Sequence, residues 1–276
     1  MNYQQTLEYL YEHLPMYHRI GAAAYKKDLT NISKLVSILD HPEEKFHCIH
    51  VAGTNGKGSV SNMLASVLYE AGYKTGLYTS PHLIDCRERI RVNGKMCDEK
   101  FVVDFIERMK GHIEDIQPSF FEITVAMAFD YFVKEEIDIA VVEVGLGGRL
   151  DSTNIISPLL SIITNISYDH MHMLGNTLPE IAFEKAGIIK QNIPVVIGEY
   201  HSETFPVFLE KANSFSAPIY LAEENIDLEI EEHDAEKLIV NASYMQQLVY
   251  PNLQIGLKGN YQIKNTKTVL QAIEIL

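Results

Sequence analysis

The chain is short of positive charge, of cysteine and of long apolar runs, and each shortage excludes a class of function. Its 23 Lys and Arg stand against 37 Asp and Glu, a formal net charge of −14. General nucleic-acid binding needs cationic surface to displace counterions, so that class is set aside. A nucleotide ligand is not, because a phosphate site is built locally from amides, one lysine and metal. No apolar run reaches the roughly 18 residues of a membrane span, so no membrane partner is expected. The N-terminus, MNYQQTLEYLYEHL, lacks the basic start and apolar centre of a signal peptide. The three cysteines, Cys48, Cys86 and Cys97, have no zinc-ligand spacing and suit a reducing cytoplasm. Cys48 reads as a small buried hydrophobe. No internal repeat or low-complexity linker is present.

What is present is a hydrophobic content of 46% over 276 residues, enough for a substantial core in one large domain or two small ones. Apolar periodicity predicts helices near 2–14 and 30–40, the second capped by Thr30 or Asn31. KFHCIHVAG reads as a buried strand, followed by a Gly-rich loop and a helix, KGSVSNMLASVLYEAG, stopped by Gly72. KTGLYTS is the next strand, and RERIRVNGKM carries an Asn-Gly hairpin signal at 93–94. Helices follow near 98–116 and 120–136. DIAVVEVG, LLSIITNIS and IPVVIG read as strands, with TLPEIAFEKAGII as a helix opened by Pro179. Strands interleaved with helices predict an α/β fold with a mostly parallel sheet. Beyond about 215 the runs APIYLAEE, IDLEIEEH, KLIVNA and NLQIGLKG predict a small antiparallel β add-on. The chain ends inside an amphipathic helical pattern, NYQIKNTKTVLQAIEIL, which reads as the front portion of a longer enzyme.

Five stretches carry candidate chemistry. HVAGTNGKGSV, residues 50–60, sits between strand and helix, the setting a phosphate loop requires. It departs from G-x-x-x-x-G-K-[ST] twice, with Val51 in the first glycine's place and Gly58 where a hydroxyl is usual. Amides at a helix start face an anion, Gly53, Gly56 and Gly58 allow close approach, and Lys57 can reach the outer phosphates. The missing hydroxyl has two candidate substitutes, Ser59 and Ser80, the latter in YTSPH at the end of the next strand. Ligands of open α/β sheets bind outside such carboxyl ends. Thr79-Ser80-Pro81 reads equally as a strand-ending turn.

VVEVGLGGRLDSTN places Glu143 at the end of an apolar strand, where a charge is costly unless paired or bound to metal. Gly145, Gly147 and Gly148 leave room for a bulky ligand, and Asp151 and Asn154 add acceptors. ITNISYDHMHMLGNT puts Asp169 and His170 after a strand, a plausible metal or catalytic pair, though eleven histidines make chance placement easy. Lys185 lies on the helix that follows, where composition gives it no distinction. PSFFEITVAMAFDYF opens with Phe120, Phe121 and Glu122; its periodicity says core, and the aromatic pair with an acid could also line a pocket for a flat heterocycle.

Taken in order, these stretches resemble the Mur ligase superfamily, and within it the branch of folylpolyglutamate and dihydrofolate synthases. HVAGTNGKGSV, GLYTSPHL, RERIRVNG, FFEITVAMAFDYF, VVEVGLGGRLDSTNII, DHMHMLGNTLPEIAFEKAGIIK and LKGNYQIKN carry the resemblance from about residue 45 to 265. The resemblance implies a P-loop-type central domain over 1–276, with 215–258 as a β-rich subregion. It implies nucleotide contacts from Gly53, Thr54, Asn55, Gly56, Lys57, Gly58, Ser59 and Asn265. Ser80 and Glu143 match ligands of one magnesium and His170 the ligand of a second. Lys185 matches a lysine carried as a carbamate, and Phe120–Glu122 the wall of a pterin pocket, to which Asp28 to Asn31 would add.

The activity implied is ATP-driven glutamate addition to folates through an acyl phosphate, placing the chain in one-carbon metabolism, with Lys57, Glu143, His170 and Lys185 in catalytic roles. The partners implied are ATP, L-glutamate and a reduced folate or dihydropteroate, with the protein acting as a monomer. The family's C-terminal glutamate-ligase domain is absent from this chain, which alone is expected to turn over poorly. Two alternatives stand: a cell-wall Mur-type ligase, against which GTNGKGS argues, and a nucleotide-binding module without catalysis.

Overall fold

The computed structural model describes residues 1–15, 28–233, 238–257 and 259–276. Lys258, inside the matching stretch LKGNYQIKN, lies outside the described residues. In chain order the main helices are α1 (Tyr3–His13), α2 (Thr30–Ile38), α3 (Lys57–Glu70), α4 (Glu99–Ile116), α5 (Phe120–Lys134), α6 (Leu178–Ala186), α7 (Phe205–Ser214) and α8 (Tyr261–Ile273). The strands are β1 (His47–Ala52), β2 (Thr75–Tyr78), β3 (Ile90–Val92), β4 (Lys95–Met96), β5 (Ile139–Glu143), β6 (Leu160–Ile163), β7 (Val195–Ile197), β8 (Ile219–Leu221), β9 (Ile226–His233), β10 (Leu238–Tyr244) and β11 (Gln247–Ile255). The fold is the expected α/β class: a mostly parallel sheet of eight strands flanked by helices, plus a three-stranded antiparallel sheet near the C-terminus. The chain forms two compact units, one of Met1–Cys48, Ala65–Leu146 and Leu150–Ser157, the other of Ile49–Leu64, Gly147–Arg149 and Pro158–Leu276.

In the first unit β2 pairs in parallel with β5 and antiparallel with β3, which pairs antiparallel with β4. Asn93 and Gly94 turn the β3–β4 hairpin with φ of 50° and 74°, the left-handed pair that a two-residue turn demands. α5 is the centre of this unit's core. Its sequence FFEITVAMAFDYFVK is apolar around nearly its whole circumference, and such a helix is stable only when buried. Ile123, Val125, Ala126, Phe129 and Phe132 are fully inaccessible, packed with Phe105 and Ile106 of α4 and Ile32 and Leu35 of α2. Ser119 and Glu122 close a reciprocal capping box at its start, and Asn2 and Gln5 do the same for α1. α2 is capped differently from expectation. Neither Thr30 nor Asn31 caps it; Asp28 Oδ1 accepts from the Thr30 N–H at 2.8 Å.

In the second unit β1, β6, β7 and β8 run parallel in that order. Ile49, Val51, Leu160, Ile162, Val195 and Val196 are fully buried, as strands covered on both faces require. β9, β10 and β11 form the antiparallel add-on, in which Ile226 and Ala242 pack with Leu270 of α8. One of the four runs assigned to this add-on is corrected. β8, inside APIYLAEE, instead extends the parallel sheet, because α7 precedes it and supplies a crossover from β7. All three cysteines are buried and none is in a disulfide. Among the described residues no helix is long and apolar enough to cross a membrane.

Candidate functional site

The second unit holds a phosphate-type loop at the carboxyl end of β1. Gly53 to Gly56 joins β1 to α3, whose first residue is Lys57. The first amides of a helix have no acceptor within it and carry the positive end of its dipole. Two glycines make the path possible. Gly53 has φ of 149° and lies so close to Thr164 that a Cβ would collide with its hydroxyl. Gly56 has φ of 82°, and a Cβ there would collide with Asn265 Oδ1.

The loop is tied down by the segment after β6. Thr164 Oγ1 donates to Asn55 O at 2.6 Å, and Thr164 N–H donates to Ala52 O at 2.9 Å. Thr54 N–H reaches Asn165 O and Asn55 N–H reaches Asn165 Oδ1, both at 2.9 Å. Ser167 N–H donates to Thr54 Oγ1 at 3.1 Å, and Asn55 Nδ2 donates to Ser167 Oγ at 3.1 Å. Lys57 Nζ bends back onto Gly53 O and Thr54 O at 3.0 and 3.1 Å. Lys185 is buried at 4% exposure in the last turn of α6 and donates to the same Gly53 O at 2.9 Å. The helix lysine that composition could not distinguish thus touches the Gly-rich loop. Asn265 of α8, also buried, donates to Gln262 Oε1 at 2.8 Å, and Gln262 Nε2 donates to Ser59 Oγ at 3.3 Å. His170 is half-exposed, with φ of 46°; its N–H donates to Asp169 Oδ1 at 2.8 Å and its Nε2 lies 3.5 Å from Asp169 Oδ2. Gly53 to Ser59, Asn265, His170 and Lys185 therefore all belong to this unit.

The first unit carries the remaining candidates. Ser80 follows β2, partly buried, ahead of a cis peptide to Pro81. Glu143 is the last residue of β5 and 4% exposed. Asp151 is wholly buried and accepts from Leu146 N–H at 2.8 Å and Thr153 N–H at 3.0 Å. Burial pushes its carboxyl above the ordinary range, against the pull of those hydrogen bonds. Tyr78 shares a hydrogen bond with Thr124 Oγ1 at 3.0 Å, and burial moves its phenol to about 12.

The three residues assigned to a pterin wall have different surroundings. Phe120 is buried, its ring 5.8 Å from Tyr11 and 6.3 Å from His82, with Arg89 stacked on it at 5.4 Å. Glu122 Oε2 is engaged by Ser119 N–H at 2.6 Å and Ser119 Oγ at 2.9 Å, with Asn31 Nδ2 at 3.5 Å. Phe121 is half-buried; its ring lies 6.2 Å from Tyr78 and against Gly145, where a Cβ would collide with it. Sequence reasoning passed over Thr164, Asn165 and Ser167. Their signal was the same strand-end position that singled out Ser80 and Glu143.

A family model of the Mur ligase middle domain matches residues 51–273. The chain is 39% identical over 267 residues to the dihydrofolate synthase/folylpolyglutamate synthase of Bacillus subtilis (strain 168), covering 91% of this chain and 60% of that protein. It is similar to the structure of folylpolyglutamate synthase from Thermotoga maritima, with TM-score 0.88 and 36% identity over 99% of this chain and 62% of that one. An FPGS–AMPPCP–folate complex matches with TM-score 0.90 and 31% identity, over 100% of this chain and 67% of that one. The chain thus spans between 60 and 67% of the length of these relatives.

Proposed function

Because the chain belongs to the Mur ligase family, in its folylpolyglutamate and dihydrofolate synthase branch, we propose that it is the ATP-binding part of a ligase adding L-glutamate to folates. The single observation that carries this reading is the loop Gly53–Ser59, held open at the head of α3 and contacted by both Lys57 and Lys185. An FPGS related to this chain binds AMPPCP and folate together, which supports ATP as the nucleotide and a folate as the acid.

On this reading the loop amides from Gly53 to Ser59 receive the phosphates, and Lys57 leaves the carbonyls of Gly53 and Thr54 to follow them. Asn265, behind Gly56, contacts the nucleotide. Phe121, beside Gly145, offers a ring face for the pterin, while Phe120 and Glu122 hold that wall in place from the core. The folate carboxylate attacks the γ-phosphate and becomes an acyl phosphate; the glutamate amine then displaces phosphate. Holding two anions together is the electrostatic problem, and fixed amides and one ammonium lower its cost.

The Ser80 hydroxyl and Glu143 carboxylate are the oxygen donors magnesium prefers, whereas His170 would offer an imidazole nitrogen, a less usual ligand for that ion. Ser80 and Glu143 would hold one ion and His170 a second, and the ions would neutralise charge between carboxylate and triphosphate. Lys185 fits a carbamate: its nitrogen keeps one hydrogen for the Gly53 carbonyl it already meets at 2.9 Å. Reduced folate or dihydropteroate, ATP and glutamate are the partners of a cytoplasmic monomer on this reading, and the charge of −14 supports setting nucleic acid aside.

The test uses the natural protein carrying this chain, supplied with ATP, magnesium, glutamate and a panel of dihydropteroate and tetrahydrofolate. Phosphate release that requires both folate and glutamate is expected. Release with neither, or nucleotide binding without release under every combination, sinks the proposal.

A further inference from the structure

β7 ends against the segment that braces the loop. Its register pairs Ile163 of β6 with Ile197, and Gly198 N–H donates to Ile163 O at 2.8 Å. A Cβ on Gly198 would collide with Thr164 O, so the two chains stay in close contact past the last strand pair. Two residues beyond that pair, Asn165 and Glu199 stand side by side. Asn165 Nδ2 donates to one carboxylate oxygen, Glu199 Oε1, at 3.1 Å. Lys264 Nζ of α8 donates to the other, Oε2, at 2.6 Å. On its far side Asn165 takes two consecutive N–H groups of the loop, Asn55 on Oδ1 and Thr54 on its main-chain O, both at 2.9 Å.

An asparagine amide has two orientations that exchange its oxygen and its nitrogen, and the neighbours choose between them. A carboxylate only accepts, so Glu199 requires Nδ2. A main-chain N–H only donates, so Asn55 requires Oδ1. Turned over, the amide would set Nδ2 against the Asn55 N–H and Oδ1 against the carboxylate, two repulsions in place of two hydrogen bonds. We propose that Glu199 is a positioning residue for the phosphate loop, resting on the reading above: its carboxylate locks the Asn165 amide in the one orientation that captures the Asn55 N–H. Capture fixes the turn into Gly56, and the remaining amides at the head of α3, which have no acceptor within the helix, then converge on the phosphates. The ion pair with Lys264 is the lesser contact. The Lys264 side chain is 52% exposed, so water screens the attraction.

The experiment measures the dissociation constant of a non-hydrolysable ATP analogue by calorimetry, using the natural protein carrying this chain. Glu199→Ala is expected to weaken binding about fivefold, the effect of one lost hydrogen bond. Glu199 is partly exposed, so the variant folds, and its thermal midpoint serves as the check. Asn165→Asp weakens binding at least as much, because two carboxylates then face each other. Combining Asn165→Asp with Glu199→Gln exchanges amide and carboxylate. The hydrogen bond is rebuilt with its direction reversed, Asn55 still meets an oxygen, and affinity returns to within about twofold of the parent. Lys264→Met stays within about twofold. Hydrogen exchange at the Asn55 N–H gives a readout without nucleotide: it speeds up in Glu199→Ala and slows again in the exchanged pair. In turnover, KM for ATP rises in Glu199→Ala while KM for the folate holds. Parent-like affinity in Glu199→Ala, an exchanged pair no tighter than Asn165→Asp alone, or an equal loss in Lys264→Met overturns the positioning role and leaves the ligase reading intact. Failure of the unsubstituted protein to bind the analogue overturns the nucleotide reading, and the positioning role with it.

Discussion

Thr164→Val isolates the brace that holds the phosphate loop in shape. The substitution keeps the volume beside Gly53 and removes one hydroxyl, whose hydrogen bond to Asn55 O is 2.6 Å long. A neutral hydrogen bond contributes about 1 kcal/mol net, and a stranded buried partner costs more, about 1–3 kcal/mol. Asn55 is exposed, so water reaches its carbonyl and the lower figure governs. A loss of about 1 kcal/mol lowers the melting midpoint of a chain this size by roughly 2–4 °C. The effect on nucleotide binding is the sharper quantity. The loop amides bind phosphate only while they converge, and the brace fixes the residue between Thr54 and Gly56. If most of that 1 kcal/mol is spent on convergence, the dissociation constant of a non-hydrolysable ATP analogue rises about fivefold. Isothermal titration calorimetry measures this beside Thr164→Ser, which retains the hydroxyl and is expected to bind within about twofold of the parent. A lowered melting midpoint with unchanged affinity would mean that Thr164 stabilises the fold without shaping the loop, and the preorganisation argument would fail.

Lys57→Ala is expected to weaken ATP binding by roughly tenfold or more, since a charge-assisted contact to phosphate is worth about 1.5–3 kcal/mol; unchanged affinity at unchanged circular dichroism would remove Lys57 from the site. Lys185→Ala is expected to abolish folate-dependent phosphate release, with no recovery in high bicarbonate. Its melting midpoint also drops, because the Gly53 carbonyl loses a buried donor, and normal turnover would exclude Lys185 from catalysis. Asp151 gives a pH dependence of definite sign. Its folded pKa is raised, so the folded state binds more protons than the unfolded chain above about pH 4, and its contribution to stability falls as pH rises through that window. Asp151→Asn should flatten that part of the profile while lowering stability overall, because its amide nitrogen cannot accept and one of the Leu146 and Thr153 N–H groups loses its acceptor; an unchanged pH dependence of the unfolding free energy from urea titrations across pH 4–7 would contradict the assignment.

Much of the fold was legible because its signals are local. β1, the glycine loop and α3 are consecutive, so one stretch of eleven residues displays strand, turn and helix start together. The Asn93-Gly94 turn announces its hairpin for the same reason. β8 was misplaced because three residues, Ile219–Leu221, look the same in an antiparallel ribbon as at the edge of a parallel sheet. The decisive feature was α7, whose Pro206 in the first turn and single charged pair, Glu210 and Lys211, gave its helical period little contrast. Once α7 is recognised, a right-handed crossover leaves β8 beside β7 and parallel to it.

The candidate site divides along the same line. Glycines and Lys57 declare the loop in sequence, but what holds the loop comes from 109 to 113 residues away. A strand-end rule says that Thr164 and Asn165 stand at a sheet edge; only the pairing of β6 with β1 puts them against the loop. That pairing is a fact of strand order, on which a run of apolar residues is silent. Glu122 shows the converse. Its acid in an apolar helix invites a ligand, yet the Ser119-x-x-Glu122 spacing also spells a capping box, which the side chain makes. A charge with a partner three residues away belongs first to its helix. Lys185 reaches beyond its own helix, to Gly53 O at the loop. Burial of a cation against a distant carbonyl, more than the presence of charge, therefore separates Lys185 of α6 from the surface lysines that resemble it in sequence.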